Sequence, residues 1–331
     1  MDNRTTIAVD NPGTSEGLRH YAFLLVDGFS MLCLSAAMDP LRSANRMAGS
    51  PLYRWSIISP DGQPAFASNG LELKADASID KIPDCDILFV CAGTKPTGPE
   101  LPHIMARLRE RARRGGGLGA LSVGSHVLAK AGLLEGYACT IHWENRASFQ
   151  EEFPNVDCKG HVFEVDRNRY TAAGGTTAID LMLHIIRQEH GAELANAVAN
   201  QFQHERIRTP TDRQRSGPER DLTGKSEALR QAVELMNDNL EEPLRVADLA
   251  RRVHLSMRHL ERLFLRHLSM TPGRYYMRLR LERARELLRH SPAPILDIAV
   301  SVGFTSHSYF AQTYRAHFGR SPSSERRAVV N

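Results

Sequence analysis

The feature that most constrains this 331-residue chain is a change of apolar period after about residue 204. From Tyr21 to Tyr170 short apolar runs alternate with helical patterns. From Ser226 to Phe318 only the helical pattern remains. The first pattern needs a mainly parallel sheet covered by helices on both faces, and the second needs helices packed on helices. One core cannot serve both, and the length also favours two domains. Strands are expected over 21–26, 53–58, 86–91 and 118–122. Helices are expected over 31–47, 100–113, 124–133, 176–189 and 191–204. A hairpin is expected over 161–175, turning at Asp166-Arg167-Asn168.

Between the two patterns lies ERIRTPTDRQRSGPERDLTGK, residues 205–225. It has no apolar period and is rich in charge, Thr, Gly and Pro, so it reads as a linker. Residues 1–19 read as a disordered tail. They lack the basic and apolar regions of a secretory leader. No apolar run approaches the roughly 18 residues of a membrane span. The expected division is therefore 1–19 tail, 20–204 first domain, 205–225 linker and 226–327 second domain. The cysteines are Cys33, Cys85, Cys91, Cys139 and Cys158. Their odd number and lack of metal-ligand spacing fit a reduced cytoplasmic protein, with no metal or cofactor expected.

Charge is unevenly divided. Residues 205–331 hold 23 Lys and Arg against 15 Asp and Glu, whereas residues 1–204 hold 19 against 23. All the basic residues of the second part except Lys225 are arginine, which suits phosphates and guanine edges. A helical domain with a solvated arginine face has the same composition.

The second part contains an internal repeat. Residues 246–253 read as a two-turn helix with Leu249 and Ala250 inward. His254-Leu255 makes a tight turn, and Ser256 is a good N-cap for the next helix. That helix buries Leu260, Leu263, Phe264 and Leu268 and exposes Met257, Arg258, Glu261 and Arg262. Residues 295–319 repeat the layout. Ala299 is small where helices cross, Gly303 supplies a left-handed turn, and Thr305 or Ser306 caps the second helix. Phe310, Tyr314 and Phe318 are buried, while His307, Ser308, Ala311, Gln312 and Arg315 lie on or near the open side. A basic helix of roughly 25 Å at 1.5 Å per residue joins the units. It could set two recognition helices over major grooves about 34 Å apart.

These residues carry a resemblance. ILDIAVSVGFTSHSYFAQTYRAHFGRSPSSER follows the signature of the AraC/XylS-type DNA-binding domain, and residues 227–327 resemble that domain throughout. The resemblance implies a transcription regulator, an activator by expectation, whose partners are operator DNA and RNA polymerase. It implies that Arg258 and Arg262, with His307, Ser308 and Gln312, enter the major groove. Met257 and Arg315 complete the expected DNA contacts. His254 is a departure, because it stands where glycine would be easiest.

The first domain contains GALSVGSHVLAKAGLLEG, residues 119–136, in which a strand ends in small residues at Ser122 and a helix follows. That is the outline of a nucleophile elbow. With FLLVDGFSMLCLSAAMDPLRSA, DILFVCAG and CTIHWE, it resembles the class I glutamine amidotransferase-like, PfpI-like fold. The resemblance implies a flavodoxin-like, doubly wound, mainly parallel α/β sheet. Active members carry cysteine at the elbow, a histidine ahead of it and a glutamate near the first strand. Here those places hold Ser122, His142 and Cys33.

Two readings of Ser122 follow. As a nucleophile it would need His142 as base and a carboxylate to orient the ring, and Glu144, in an extended segment, is poorly placed. That is the reading as a Ser/His-dependent amidase or protease-like enzyme. The preferred reading has no catalytic residue and makes the elbow the wall of a ligand pocket. Backbone N–H groups of Val123 and Gly124, completed by Ala92-Gly93, would hold a carboxylate. Trp143 would hold a cation by cation–π contact. Fusion of this fold to an AraC-type domain resembles a subgroup that responds to glycine betaine, carnitine and arginine. The expectation is thus a small nitrogen-containing effector and a homodimer formed through the first domain. His126 faces either the pocket or a neighbouring helix. Asp180 and His184, one helical turn apart, read as a buried hydrogen-bonded pair or an interface feature.

Overall fold

A computed structural model describes residues 17–82, 84–93, 98–214, 226–291 and 293–327. Most of the expected tail, part of the linker (215–225) and the break at Pro292 lie outside the described residues. The chain runs β1 (Arg19–Leu25), α1 (Met31–Ala48), β2 (Tyr53–Ser59), β3 (Ala65–Phe66), β4 (Glu72–Leu73), β5 (Ala77–Ser78), β6 (Ile87–Ala92), α2 (Leu101–Arg113), β7 (Gly117–Ser122), α3 (Gly124–Lys130), β8 (Ala138–Thr140), α4 (Trp143–Glu152), β9 (Asp157–Lys159), β10 (Phe163–Asp166), β11 (Arg169–Ala172), α5 (Thr177–His190) and α6 (Ala192–Gln201). After these come α7 (Glu227–Asp238), α8 (Val246–Arg252), α9 (Met257–Leu268), α10 (Pro272–His290), α11 (Ile295–Ser301), α12 (His307–Phe318) and α13 (Pro322–Arg327).

Two compact units result. The first comprises residues up to His142 with Asn155–Asp212, and the second Trp143–Pro154 with Arg213 onward. In the first, the main sheet has the order β10-β11-β7-β6-β1-β2-β5. Every neighbouring pair is parallel except β10–β11. The central strands are buried along most of their length because helices cover both faces. Six consecutive residues of β6 are buried, as are those from His20 to Leu25 in β1. Ser30 caps α1 through the Cys33 N–H, which fixes the position of Cys33 at the first turn. The C-terminal end of α5 is tied to the sheet by Glu189, which accepts from Tyr53 Oη at 2.8 Å and from Arg19 Nε at 2.9 Å.

The two compact units depart from the expected division at two places. Helix α4 lies inside the 20–204 segment but is counted with the second unit. Residues 205–212, expected as linker, belong to the first unit. Their anchor is Asp180, fully buried, which accepts from Arg208 N at 2.7 Å and Arg208 Nε at 2.8 Å and bonds His204 Nε2 at 2.9 Å. Asp180 therefore bonds this returning segment rather than pairing with His184, whose ring tilts against Phe163 with centroids 5.4 Å apart.

The second unit has two cores along α10. Its N-terminal part, through Tyr275, Tyr276 and Leu279, packs with Leu249, Leu260 and Phe264. Its C-terminal part, through Leu281, Ala284 and Leu288, packs with Ile298, Phe310 and Tyr314.

Candidate functional site

Strand β7 ends at Ser122, whose φ is +59°, and α3 begins two residues later. A left-handed non-glycine residue at a strand-to-helix turn is the strained corner that a nucleophile elbow requires. Ser122 is buried, at 6 % exposure. It shares its surroundings with His142 through Gly174. A Cβ on Gly174 would lie 3.0 Å from Ser122 Oγ and 3.1 Å from His142 Cδ2. The φ of +110° at Gly174 itself excludes other residues. The Gly174 N–H donates to Thr177 Oγ1 at 2.9 Å, which holds the glycine pair at the start of α5. The next N–H, of Gly175, donates to the thiol of Cys33. Burial pushes that thiol up to about 12, against the lowering effect of the Gly175 bond. Cys33 is thus held as the neutral thiol. Cys33, Ser122, His142 and the two glycines form one cluster.

The anion nest expected beside it needs correction. The Val123 N–H is already committed to the Ala92 carbonyl at 3.1 Å. Gly93 is pressed against the backbone of Gly28, where a Cβ would fall 2.1 Å from the carbonyl oxygen. Gly124 is pressed equally closely on Val90. Val123 and Gly124 pack the elbow against β6, and Gly93 packs the end of β6 on the β1–α1 connection. Helix α3 has seven residues, so it contributes little dipole. Glu144 is not in an extended segment, since α4 begins at Trp143. Trp143 belongs to the second unit. His126 is buried within α3.

The two helix-turn-helix units correspond closely. Both turns are left-handed, at His254 (φ +56°) and Gly303 (φ +78°). In the first, Leu255 N donates to Ala250 O at 2.9 Å, and in the second Phe304 N donates to Ala299 O at 2.9 Å. His254 therefore takes the glycine conformation despite its side chain. The second unit then has one additional residue before its cap. Ser256 accepts from His259 N, and Ser306, rather than Thr305, accepts from Tyr309 N. From there Met257 corresponds to His307, Arg258 to Ser308 and Arg262 to Gln312. Leu260, Phe264, Phe310 and Tyr314 are buried. Met257, Arg258, Arg262, His307, Ser308, Gln312 and Arg315 are exposed on α9 and α12, the second helices of the two units.

Comparison with known proteins decides what this arrangement is. Residues 20–188 match the DJ-1/PfpI family, and residues 249–328 match a helix-turn-helix domain. The HTH-type transcriptional regulator GbdR of Pseudomonas aeruginosa is 42 % identical over 322 residues, covering 97 % of this chain and 88 % of that protein. The HTH-type transcriptional regulator CdhR of the same species is 43 % identical over 304 residues, covering 92 % and 90 %. A crystal structure of an AraC family transcriptional regulator from Pseudomonas putida aligns with a TM-score of 0.52 and 34 % identity, covering 56 % of this chain and 99 % of that one. The chain belongs to the AraC-type transcription regulators that carry a DJ-1/PfpI domain.

It is a DNA-binding regulator of transcription. Two residues of this regulator, Gly174 and Arg280, shape the elbow cluster and the second turn without any motif that marks them. Gly174 was legible only as one of a glycine pair after a strand. Arg280 lies inside the basic helix, where the sequence alone shows only its charge. Its Nε donates to Val302 O at 2.7 Å and its Nη2 to Gly303 O at 2.6 Å, while its guanidinium lies 4.4 Å from the Phe304 ring centroid. Arg280 therefore caps α11 and fixes the turn that aims α12. Burial lowers its pKa below the usual arginine value. Among the described residues no group of three or more His, Cys, Asp and Glu could hold a metal. No described helix is long and apolar enough to cross a membrane.

Proposed function

We propose that the first unit of this regulator binds a small nitrogen-containing metabolite, a betaine or an amino acid. Occupancy then sets how the second unit activates transcription with RNA polymerase at a specific operator. The observation that carries this reading is the elbow cluster. Ser122 keeps the strained corner beside His142, while a neutral, buried Cys33 replaces the carboxylate that hydrolysis would need. Such a site retains shape and polarity without the means to generate a strong nucleophile. The reading is of a cytoplasmic, cofactor-free, non-catalytic homodimer joined through the first unit. On α9 and α12, Arg258, Arg262 and Gln312 read base edges, because their side chains donate or accept in pairs. Ser308, His307, Met257 and Arg315 position the helices on the duplex.

The test is a melting screen of the full chain against betaines and amino acids. A ligand at 100 times its Kd stabilises the native state by about 2.7 kcal/mol. Ser122→Ala removes a hydroxyl and little volume, so binding and reporter induction persist. Ser122→Leu places a branched side chain in the elbow cluster and abolishes both in a folded protein. If Ser122→Ala and His142→Ala instead abolish turnover of an ester or amide by the wild-type chain, the hydrolase reading replaces this one.

A further inference from the structure

Helix α4 is encoded between β8 and β9 of the first unit but is built into the core of the second. Ala147 is 1 % exposed and packs in the cluster formed by Leu281, Ala284 and Leu288 of α10 with Ile298 and Phe310. One turn on, Glu151 accepts a hydrogen bond from Ser291 Oγ, the C-cap residue of α10, at 3.1 Å. Ala147 and Glu151 are four apart and share one face. A small residue at the crossing and a polar bond at the helix end make a specific seat.

This seat belongs to one half of the DNA-binding unit. The residues of α10 under α4 support α11 and α12, whereas α8 and α9 pack on the earlier residues Tyr275, Tyr276 and Leu279. At its other end α4 is joined directly to the elbow site, because His142 immediately precedes Trp143. The base of this excursion is firmly held. Strands β8 and β9 pair in parallel with Cys139 opposite Cys158. Ser125 of the elbow helix donates to Thr140 O at 2.6 Å, and Thr140 N donates to Thr171 Oγ1 at 2.9 Å. Only Ile141 and His142 lie between Thr140 and the start of α4.

We infer that α4 is a regulatory latch: seated on α10, it holds the second recognition helix in its DNA-binding position, and effector at the elbow acts on DNA by shifting that seat. This rests on the reading that the first unit takes an effector. Coupling through it requires that ligand and DNA bias the same two-state element.

The experiment uses the full chain and a duplex selected by it from a randomised library. Ala147→Arg forces a long charged side chain into the seat. Without ligand, affinity for the duplex should fall at least tenfold. The footprint should be lost over the half read by α12 and kept over the half read by α9. The melting shift with glycine betaine, taken from the betaines of the screen, should persist, but its effect on DNA affinity should vanish. Unchanged affinity, loss spread evenly over both halves, or an effector effect that survives in Ala147→Arg overturns the latch. If no member of the panel shifts the wild-type melt, the effector reading falls, and the ligand-free footprint still decides whether α4 holds α12. Should Ala147→Arg fail to fold, Ser291→Ala removes the bond to Glu151 alone and should weaken the α12 half about threefold, the scale of one hydrogen bond. No change in that half would then count against the latch.

Discussion

Gly303→Ala isolates the geometry that aims the second recognition helix. Gly303 has φ +78°, a conformation that costs an L-residue about 1–2 kcal/mol. The added Cβ would lie 2.7 Å from Leu240 O and 2.7 Å from Pro243 Cγ. Neither neighbour is the free end of a flexible side chain, so relief requires the α7–α8 connection or α11 to move. Overpacking of this kind costs about 1–3 kcal/mol. Against this, alanine restricts the unfolded chain and returns about 0.4–1 kcal/mol. The net expectation is a loss of about 1–5 kcal/mol, a substantial fraction of the roughly 5–15 kcal/mol typical of a domain. Arg280 bonds the carbonyls of both Val302 and Gly303, so the strain should also tilt α12 and weaken operator binding. The equivalent residue of the first unit is the control. His254 already tolerates φ +56° and is exposed, so His254→Gly trades relieved strain against unfolded-state entropy and should stay within about 1 kcal/mol. Urea unfolding followed by circular dichroism measures both, with DNA affinity read by fluorescence anisotropy. If Gly303→Ala is as stable as wild type and binds the operator equally well, the argument from backbone geometry is wrong.

Other consequences can be checked independently. Arg262→Ala and Gln312→Ala occupy corresponding positions on α9 and α12, and each should cost about 1–3 kcal/mol in operator binding and relax base preference at a separate position; selection from a randomised operator measures this, and unchanged preferences in both would defeat the assignment. Asp180→Ala removes a fully buried carboxylate that holds Arg208 and His204, so it should destabilise the first unit by about 2–4 kcal/mol and open residues 205–212 to proteolysis, which limited digestion would show. Glu286 of α10 has its pKa raised, chiefly by burial, from 4.5 to about 7. The unfolded chain therefore loses this proton first as pH rises, and the group's contribution to stability is present below about 4.5 and lost by about 7. The stability of Glu286→Gln relative to wild type should rise across that window and then level off, with an upper limit of about 3 kcal/mol. A constant difference between the two melting curves from pH 4.5 to 7.5 would contradict the assignment.

Local patterning alone determined a good deal of this regulator. The apolar runs of β1, β2, β6 and β7 and the stripes of α9 and α12 report which side of each segment is buried, and burial with period 2 or 3.6 is a property of neighbouring residues. The turn at Gly303, the caps at Ser256 and Ser306 and the corner at Ser122 are equally local, because each depends on a few backbone angles. Tertiary structure decided the rest. Strands β3, β4, β5, β8 and β9 have two or three residues each, too few to show any period. Helix α4 has only one fully buried apolar turn, around Ala147 and Phe149, and nothing in its sequence says that Ala147 is buried against α10. The commitment of the Val123 N–H to Ala92, the grip of Asp180 on Arg208, and the meeting of Ser122 with His142 at Gly174 all join residues distant in sequence. A side chain's neighbours in sequence determine whether it prefers burial, but which distant group satisfies it is settled only when the whole chain has packed.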